Sequence, residues 1–324
     1  MIGRAVVRGT GSIGARHLRV LRALGVQDLV AVPVRPGRAS SPELGDARIA
    51  AELPQEADVV VVATDTARHV DDAIEALDAG AGVVLVEKPL CADAADAAPL
   101  LAHPRRDRVR VSAPLRFHEG LRDARAAVTA LPGGPVAARV VAQSWLPGWR
   151  PERDYRDSYS ARPGEGGVLR DLVHEIDYAL WTFGRPVALE GHASDVPSPV
   201  LGLAVDESAD LSWRTAEGAD VSIRIDYVTR PARRSMLVTS PDGSVLWDVL
   251  GARVETVGAD GSVASTEYPQ DHDRDVILSR QTQALLALGA GQGDDLLDLE
   301  TALLAVRIGE RVRESTGQRR TEFA

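Results

Sequence analysis

Strand and helix patterns alternate without a break along the first 115 residues, and that order leaves few folds open. "AVVRGTGSIG" (5–14) starts as an apolar strand and breaks on glycine, and "ARHLRVLRALG" (15–25) then places Leu18, Leu21 and Leu24 at helical spacing with Gly25 as the stop. "LVAVPV" (29–34) reads as a second strand, and "ADVVVVAT" (57–64) is an uninterrupted β-branched run of the kind a parallel strand covered on both faces requires. "RHVDDAIEALDAG" (68–80) sets Val70, Ile74 and Leu77 on one side of a helix, and "GVVLVE" (82–87) is the next strand. This order predicts an α/β fold with an N-terminal doubly wound parallel sheet of the Rossmann type. Ligands of such sheets bind beyond the carboxyl ends of the strands, and Thr64, Glu87 and Lys88 stand at such ends.

The glycines between the first strand and the first helix sharpen this. In "GTGSIG", Gly9 permits a tight turn, Gly11 lets a pyrophosphate approach the backbone, and Gly14 lets the helix pack close to the strand, while the main chain of Ser12 and Ile13 opens the helix. The N–H groups there face the phosphates of a dinucleotide. An NAD site usually carries an acid about 20 residues further on, at the end of the second strand. Here "VPVRPGRASS" has no acid before Glu43, and Arg35 and Arg38 stand in its place, which favours the 2′-phosphate of NADP(H) while leaving NAD(H) open.

Lys88 is the chain's single lysine among 37 basic residues, the others being arginine. One lysine in an arginine-rich chain also fits chance, but a compact amine with a movable pKa does chemistry that a permanently charged guanidinium does not. The rest of the composition excludes more than it identifies. With 324 residues, 44% of them hydrophobic, the chain can bury two domains' worth of core. A net charge of −10 speaks against a nucleic-acid groove, and "HPRRDRVR" (103–110) reads as a solvated loop or helix end. One cysteine, Cys91, excludes an intrachain disulfide and a cysteine-based metal site; no metal site is expected. No apolar stretch approaches a membrane span, and the N-terminus runs into a strand with no signal peptide before it, so the expected compartment is the cytoplasm.

From residue 116 the texture changes. Strands are expected at 136–145, 187–196, 207–215, 220–229, 233–240 and 243–249, with helices at 119–130, 167–183, 274–289 and 297–315. The chain is therefore divided into a dinucleotide-binding domain, 1–115, and an α+β domain with an open mixed or antiparallel sheet, 116–324. Within "GEGGVLRDLVHEIDYALWTFG" (164–184), Asp171 and His174 lie three apart and share a helix face, where the carboxylate can fix the tautomer of a general base. An ordinary helical pair, or a buried histidine satisfied by aspartate, fits the same spacing. His174-Glu175 is not a zincin helix, since Tyr178 stands where a second histidine is needed.

Together "GTGSIG", "EKP" (87–89), "LRFHEGL" (115–121) and "GGVLRDLVHEIDYALW" (166–181) resemble the Gfo/Idh/MocA oxidoreductases, NAD(P)-dependent enzymes acting mostly on sugars and cyclitols. "DYRDSYSA" (154–161) with Asp-x-x-His resembles a branch of amino-sugar and nucleotide-sugar dehydrogenases. The resemblance implies that Lys88 is the active-site lysine, His174 the general acid/base and Asp171 its neighbour. It further implies that Glu87 lies beside the nicotinamide and that Thr64 and His69 line the nucleotide. Homodimers or homotetramers built on the open sheet are implied as well, with a sugar-like small molecule as substrate. Two departures stand out: Asp65 replaces a common proline, and Pro114 replaces a common asparagine. Arg116, Tyr155 and Tyr159 are candidate substrate contacts, although loop aromatics also serve as core anchors. Other activities on this fold remain open: glycosidic cleavage or elimination without net redox, reduction of an imine or enone, and a non-catalytic nucleotide sensor.

Overall fold

The computed structural model describes residues 3–35, 37, 41–289 and 296–316. The chain forms two compact units, Met1–Phe117 with Asp273–Leu304, and His118–His272 with Ala305–Ala324. In chain order the first stretch contains β1 (Arg4–Arg8), α1 (Ser12–Ala23), β2 (Asp28–Val32), β3 (Arg48–Ile49), β4 (Val59–Val62), α2 (His69–Asp78), β5 (Val83–Val86), α3 (Ala98–Ala102) and β6 (Val109–Val111). Then come α4 (Glu119–Ala130), β7 (Ala137–Trp145), α5 (Val168–Asp171), α6 (Val173–Phe183), β8 (Pro186–Ala193), β9 (Ser208–Thr215), β10 (Asp220–Asp226), β11 (Val228–Ser240), β12 (Gly243–Asp248), β13 (Arg253–Gly258) and β14 (Val263–Glu267). The chain closes with α7 (Arg274–Gly289), β15 (Leu297–Asp298) and α8 (Leu299–Ser315).

The first unit is the expected doubly wound sheet, in the order β15-β6-β5-β4-β1-β2-β3, parallel throughout except that β15 runs antiparallel to β6. The β-branched runs are buried because helices cover both faces: Val59, Val61, Val83 and Leu85 share one core with Leu18 and Leu21 of α1. Ile277 and Leu285 of α7, together with Leu296, complete that core. This is why the compact units depart from a cut at residue 115. Apolar side chains some 160 residues downstream of β6 are needed to cover its sheet, and nothing in their local pattern says which sheet they serve.

The second unit holds an eight-stranded mixed sheet, β14-β13-β12-β11-β7-β10-β9-β8, in which only β7 and β10 pair in parallel. Strict alternation along β9, with Ala209, Leu211 and Trp213 inward and Asp210, Ser212 and Arg214 outward, buries one face and leaves the other polar. Strands β13 and β14 were not legible in the sequence; β14 is exposed along its whole length and carries no apolar alternation. The helix expected over 167–183 is two helices, α5 and α6, broken at Leu172 (φ −96°, ψ 32°). Among the described residues no helix is long and apolar enough to cross a membrane.

Candidate active site

The fingerprint turn is tight at two of its glycines and open at the third. Gly9 has φ +91°, and a Cβ there would lie 2.4 Å from the Ala63 carbonyl oxygen, so the turn closes against the end of β4. A Cβ on Gly14 would lie 1.9 Å from the Gly9 carbonyl oxygen, which is the close approach of α1 to β1. Gly11 caps α1 with nothing within 4 Å of its Cβ position. The first turn of α1 contains no acidic side chain to compete for its N–H groups.

Lys88 stands two residues past β5 and is half-buried. The preceding Glu87 is buried and held from two sides: Oε1 accepts from His17 Nε2 at 2.7 Å, and Oε2 accepts from the Lys88 main-chain N–H at 3.3 Å. Burial alone would raise the Glu87 carboxyl. The hydrogen bond and charge of His17, the Ser112 hydrogen bond and the Lys88 charge reverse this and bring it down from 4.5 to about 2. A carboxylate whose pKa is depressed in the folded state contributes stability that is present above about pH 4.5 and is lost as pH falls toward 2. Urea midpoints between pH 5 and pH 2.5 should therefore fall more steeply for the wild type than for Glu87→Gln. Parallel slopes would show that the pairing contributes nothing to acid stability.

His69 is 1% exposed and braces the same turn. Its Nδ1 lies 2.8 Å from the Pro89 carbonyl and its Nε2 3.2 Å from that of Thr64. Burial lowers its pKa against the pull of both carbonyls, so the ring is neutral and gives its one N–H to the nearer carbonyl, that of Pro89. Both ring nitrogens thus face main chain. The Thr64 hydroxyl donates to Asp72 Oδ2 at 2.8 Å, and the buried Asp72 also accepts from Arg8 Nε at 2.8 Å and from Arg68 at 3.0 Å. Arg35, after β2, contacts both oxygens of Asp65, after β4, at 2.5 and 2.6 Å. Because β1 lies between β2 and β4, this ion pair bridges the end of β1, where Gly9 turns the chain. Arg38 falls outside the described residues. Arg116 is 5% exposed in the tight turn that follows β6.

In the second unit, Asp171 ends α5 and His174 is the second residue of α6, so they do not share one continuous helix face. Asp171 Oδ2 accepts from the Ser160 hydroxyl at 2.6 Å and the Tyr227 hydroxyl at 3.1 Å. Burial first, then the nearby Asp171 and Asp206 charges, raise the Tyr227 hydroxyl well above its usual range, so it remains a donor. His174 is half-buried, and the next residue, Glu175, is fully buried against Arg234, whose Nε donates at 2.8 Å. Gly166 and Gly167 shape the entry to α5: their Cβ positions lie 2.4 Å from the Ser160 carbonyl and 2.5 Å from Asp206 Oδ1. The aromatic loop is anchored. Trp149 meets Tyr227 edge-on at 5.5 Å, Arg230 lies 3.5 Å over the Trp145 ring, and the Tyr155 hydroxyl donates to the Leu201 carbonyl at 3.3 Å. Tyr159 lies in the turn that presents Ser160 to Asp171.

The profile of the oxidoreductase family GFO/IDH/MocA, with its NAD-binding Rossmann fold, matches residues 3–114, and that of the GFO/IDH/MocA C-terminal domain matches residues 132–264. The chain belongs to this family. It is therefore an oxidoreductase with a nicotinamide dinucleotide site, on the fold that the sequence implied. Solved structures agree in fold. An oxidoreductase from Agrobacterium radiobacter in complex with NAD+, L-tartaric acid and magnesium is 17% identical over 99% of this chain and 98% of its own, with a TM-score of 0.82. Levoglucosan dehydrogenase in complex with NADH and levoglucosan is 16% identical over 98% and 97%, with a TM-score of 0.83. UDP-N-acetylglucosamine 3-dehydrogenase from Acidithiobacillus ferrooxidans is 18% identical over 97% and 98%, with a TM-score of 0.77. A search of curated proteins finds no match.

The family's dinucleotide fits the residues present. The open space at Gly11, the unopposed N-terminus of α1 and the buried Thr10 hydroxyl, which has no hydrogen-bond partner, together form a cradle for a diphosphate. Sequence reading did not single out His17, Ser112, Asp72, Ser160, Tyr227 or Arg234. His17, Tyr227 and Arg234 lie more than fifty residues from the carboxylates they meet, and Asp72 and Ser160, though nearer in sequence, reach their partners across turns that no helical or strand period describes.

Proposed function

We propose that this protein oxidises a secondary alcohol, or reduces the matching ketone, of a sugar, cyclitol or sugar-derived metabolite. A nicotinamide dinucleotide held at the Gly9–Gly14 turn would supply the acceptor or donor for the hydride. In this reading Lys88 donates hydrogen bonds to the oxygen of the reacting carbon and stabilises the alkoxide that develops there, while His174 removes or returns the hydroxyl proton. Asp171, held by Ser160 and Tyr227, orients or tunes His174. Tyr155 and Tyr159 belong to the loop that meets substrate, and Arg116 to the turn after β6. The names of two structural neighbours, a levoglucosan and a UDP-N-acetylglucosamine dehydrogenase, support a sugar-like substrate. The observation that carries the reading is a single lysine, two residues past β5, whose main-chain N–H is bonded to the buried Glu87 carboxylate. A homo-oligomer assembled through the polar face of the mixed sheet and a cytoplasmic location complete it.

For the nucleotide we propose NADP(H) over NAD(H), through Arg35 and Arg38, with Asp65 as the opposing group. Asp65 pairs with Arg35, so its carboxylate would compete with a 2′-phosphate for that guanidinium. Asp65→Ala should raise the kcat/KM ratio of NADP+ over NAD+ by about tenfold, the worth of one partly screened charge contact. An unchanged ratio would mean that Arg35 does not read the phosphate.

The test is purified protein with NADP+ or NAD+ and a panel of sugars, cyclitols and nucleotide sugars, followed by absorbance of the reduced nicotinamide and by product mass. Substrate-dependent reduction establishes the dehydrogenase. Sugar cleavage without net reduction replaces it with cofactor-assisted elimination or hydrolysis.

A further inference from the structure

His17 lies on α1, three residues past Gly14, and is 0% exposed. A histidine this deeply buried must justify its polar atoms, and its Nε2 does so with one short contact, 2.7 Å to Glu87 Oε1. Its Nδ1 is buried with no hydrogen-bond partner, so the ring's polar engagement in this unit is that one carboxylate. Glu87 is ionised at ordinary pH, which makes the imidazole Nε2 the donor. The other carboxylate oxygen receives the Lys88 main-chain N–H. Ser112 gives Glu87 a further hydrogen bond and itself receives Gln281 Nε2 at 3.2 Å, while Gln281 Oε1 accepts the Ala113 N–H at 2.8 Å. Every polar member of this chain is 9% exposed or less. Lys88 alone emerges, half-buried.

We propose that His17 is a positioning residue for Lys88: it fixes the Glu87 carboxylate that holds the Lys88 backbone, and so ties the lysine's placement to the nucleotide-binding helix. The inference rests on the reading of Lys88 as the group that meets substrate. A short buried hydrogen bond restricts the groups it joins, and a reacting group displaced by about 1 Å loses on the order of 100-fold in rate. The contact also links two functions. His17 joins the helix that opens at Gly11 to the residue before Lys88.

The single lysine makes the test direct. Reductive methylation with 13C-formaldehyde labels Lys88 and the N-terminal amine only, and NMR then follows the Lys88 resonance against pH without reference to any reaction. His17→Leu removes the donor and keeps the bulk apolar; His17→Gln places an amide N–H near the Nε2 position. The expected result is a shifted Lys88 titration in the leucine variant and a near-native one in the glutamine variant. In turnover, kcat should fall 10- to 100-fold for leucine with the dinucleotide KM within about threefold, and glutamine should recover most of the loss. A Lys88 titration unchanged in folded His17→Leu, or equal defects in both variants, would overturn the proposal and leave His17 a packing residue. If His17→Leu does not fold, Ser112→Ala takes its place, since it removes the other side-chain donor to Glu87. An altered Lys88 signal is again expected, and an unaltered one counts against the network. Because the NMR signal needs no substrate, a protein that transferred no hydride would disprove the proposed reaction and still decide this point.

Discussion

Lys88→Arg is expected to lower kcat by about 1000-fold while leaving the dinucleotide Kd within about threefold, a loss of roughly 4 kcal/mol of transition-state stabilisation. The charge is kept, so long-range attraction for an anionic cofactor is unchanged. What is lost is shape and proton chemistry: the guanidinium is a larger planar fork, and it neither shares nor releases its proton near neutral pH. The site around this residue is closed to such a change, because Glu87 behind it and Pro89 after it are buried and His69 is bonded to the Pro89 carbonyl. Initial rates with saturating dinucleotide, together with fluorescence titration of the reduced cofactor, separate the two effects. An arginine variant within tenfold of wild-type kcat would mean that Lys88 supplies positive charge and nothing more.

The second large effect separates two glycines of one turn. Gly14→Ala drives a Cβ to within 1.9 Å of the Gly9 carbonyl oxygen, so α1 must move away from β1 and the buried Leu18 and Leu21 must leave their packing. A cost of about 3 kcal/mol or more is expected, with a Tm lowered by about 5–10 °C and dinucleotide affinity lost at least 100-fold. Gly11→Ala meets nothing within 4 Å, and at φ −71° an alanine is unstrained, so Tm should hold to within about 2 °C. Its methyl group instead occupies the space through which a diphosphate reaches the backbone, and affinity alone should fall. Thermal melts and binding titrations of both variants decide this. Equal Tm losses would remove the distinction between packing glycine and binding glycine.

What could be read from the sequence depended on how far apart the cooperating residues lie. "GTGSIG" was legible because all its constraints act within one turn, and Gly9, Gly11 and Gly14 each meet the surroundings their spacing implies. The helices at 119–130 and 274–289 were legible to the residue, since periodicity and stop signals are local. The Asp171-x-x-His174 spacing suggested one shared helix face, whereas the break at Leu172 was not legible. It arises where α5 is tied by the Gly167 turn and by the Asp206 carboxylate, which accepts the Leu169 N–H at 3.0 Å, a contact set by a residue more than thirty positions away. The same holds for Arg35. Its place past β2 was clear from the sequence, whereas its partner Asp65 comes from a strand two positions over in the sheet.

By itself, then, the sequence determined the alternating fold of the first unit, the dinucleotide turn, the family and the one lysine, because each of these is written in a contiguous run of residues. Tertiary structure alone decided that Ile277, Leu285 and Leu296 close the first core, that Asp171 is held by Ser160 and Tyr227, and that His17 and Glu87 stand behind Lys88. Those outcomes come from burial. A carboxylate or imidazole removed from water takes whichever partner the folded chain brings within hydrogen-bond reach, and sequence distance plays no part in that choice.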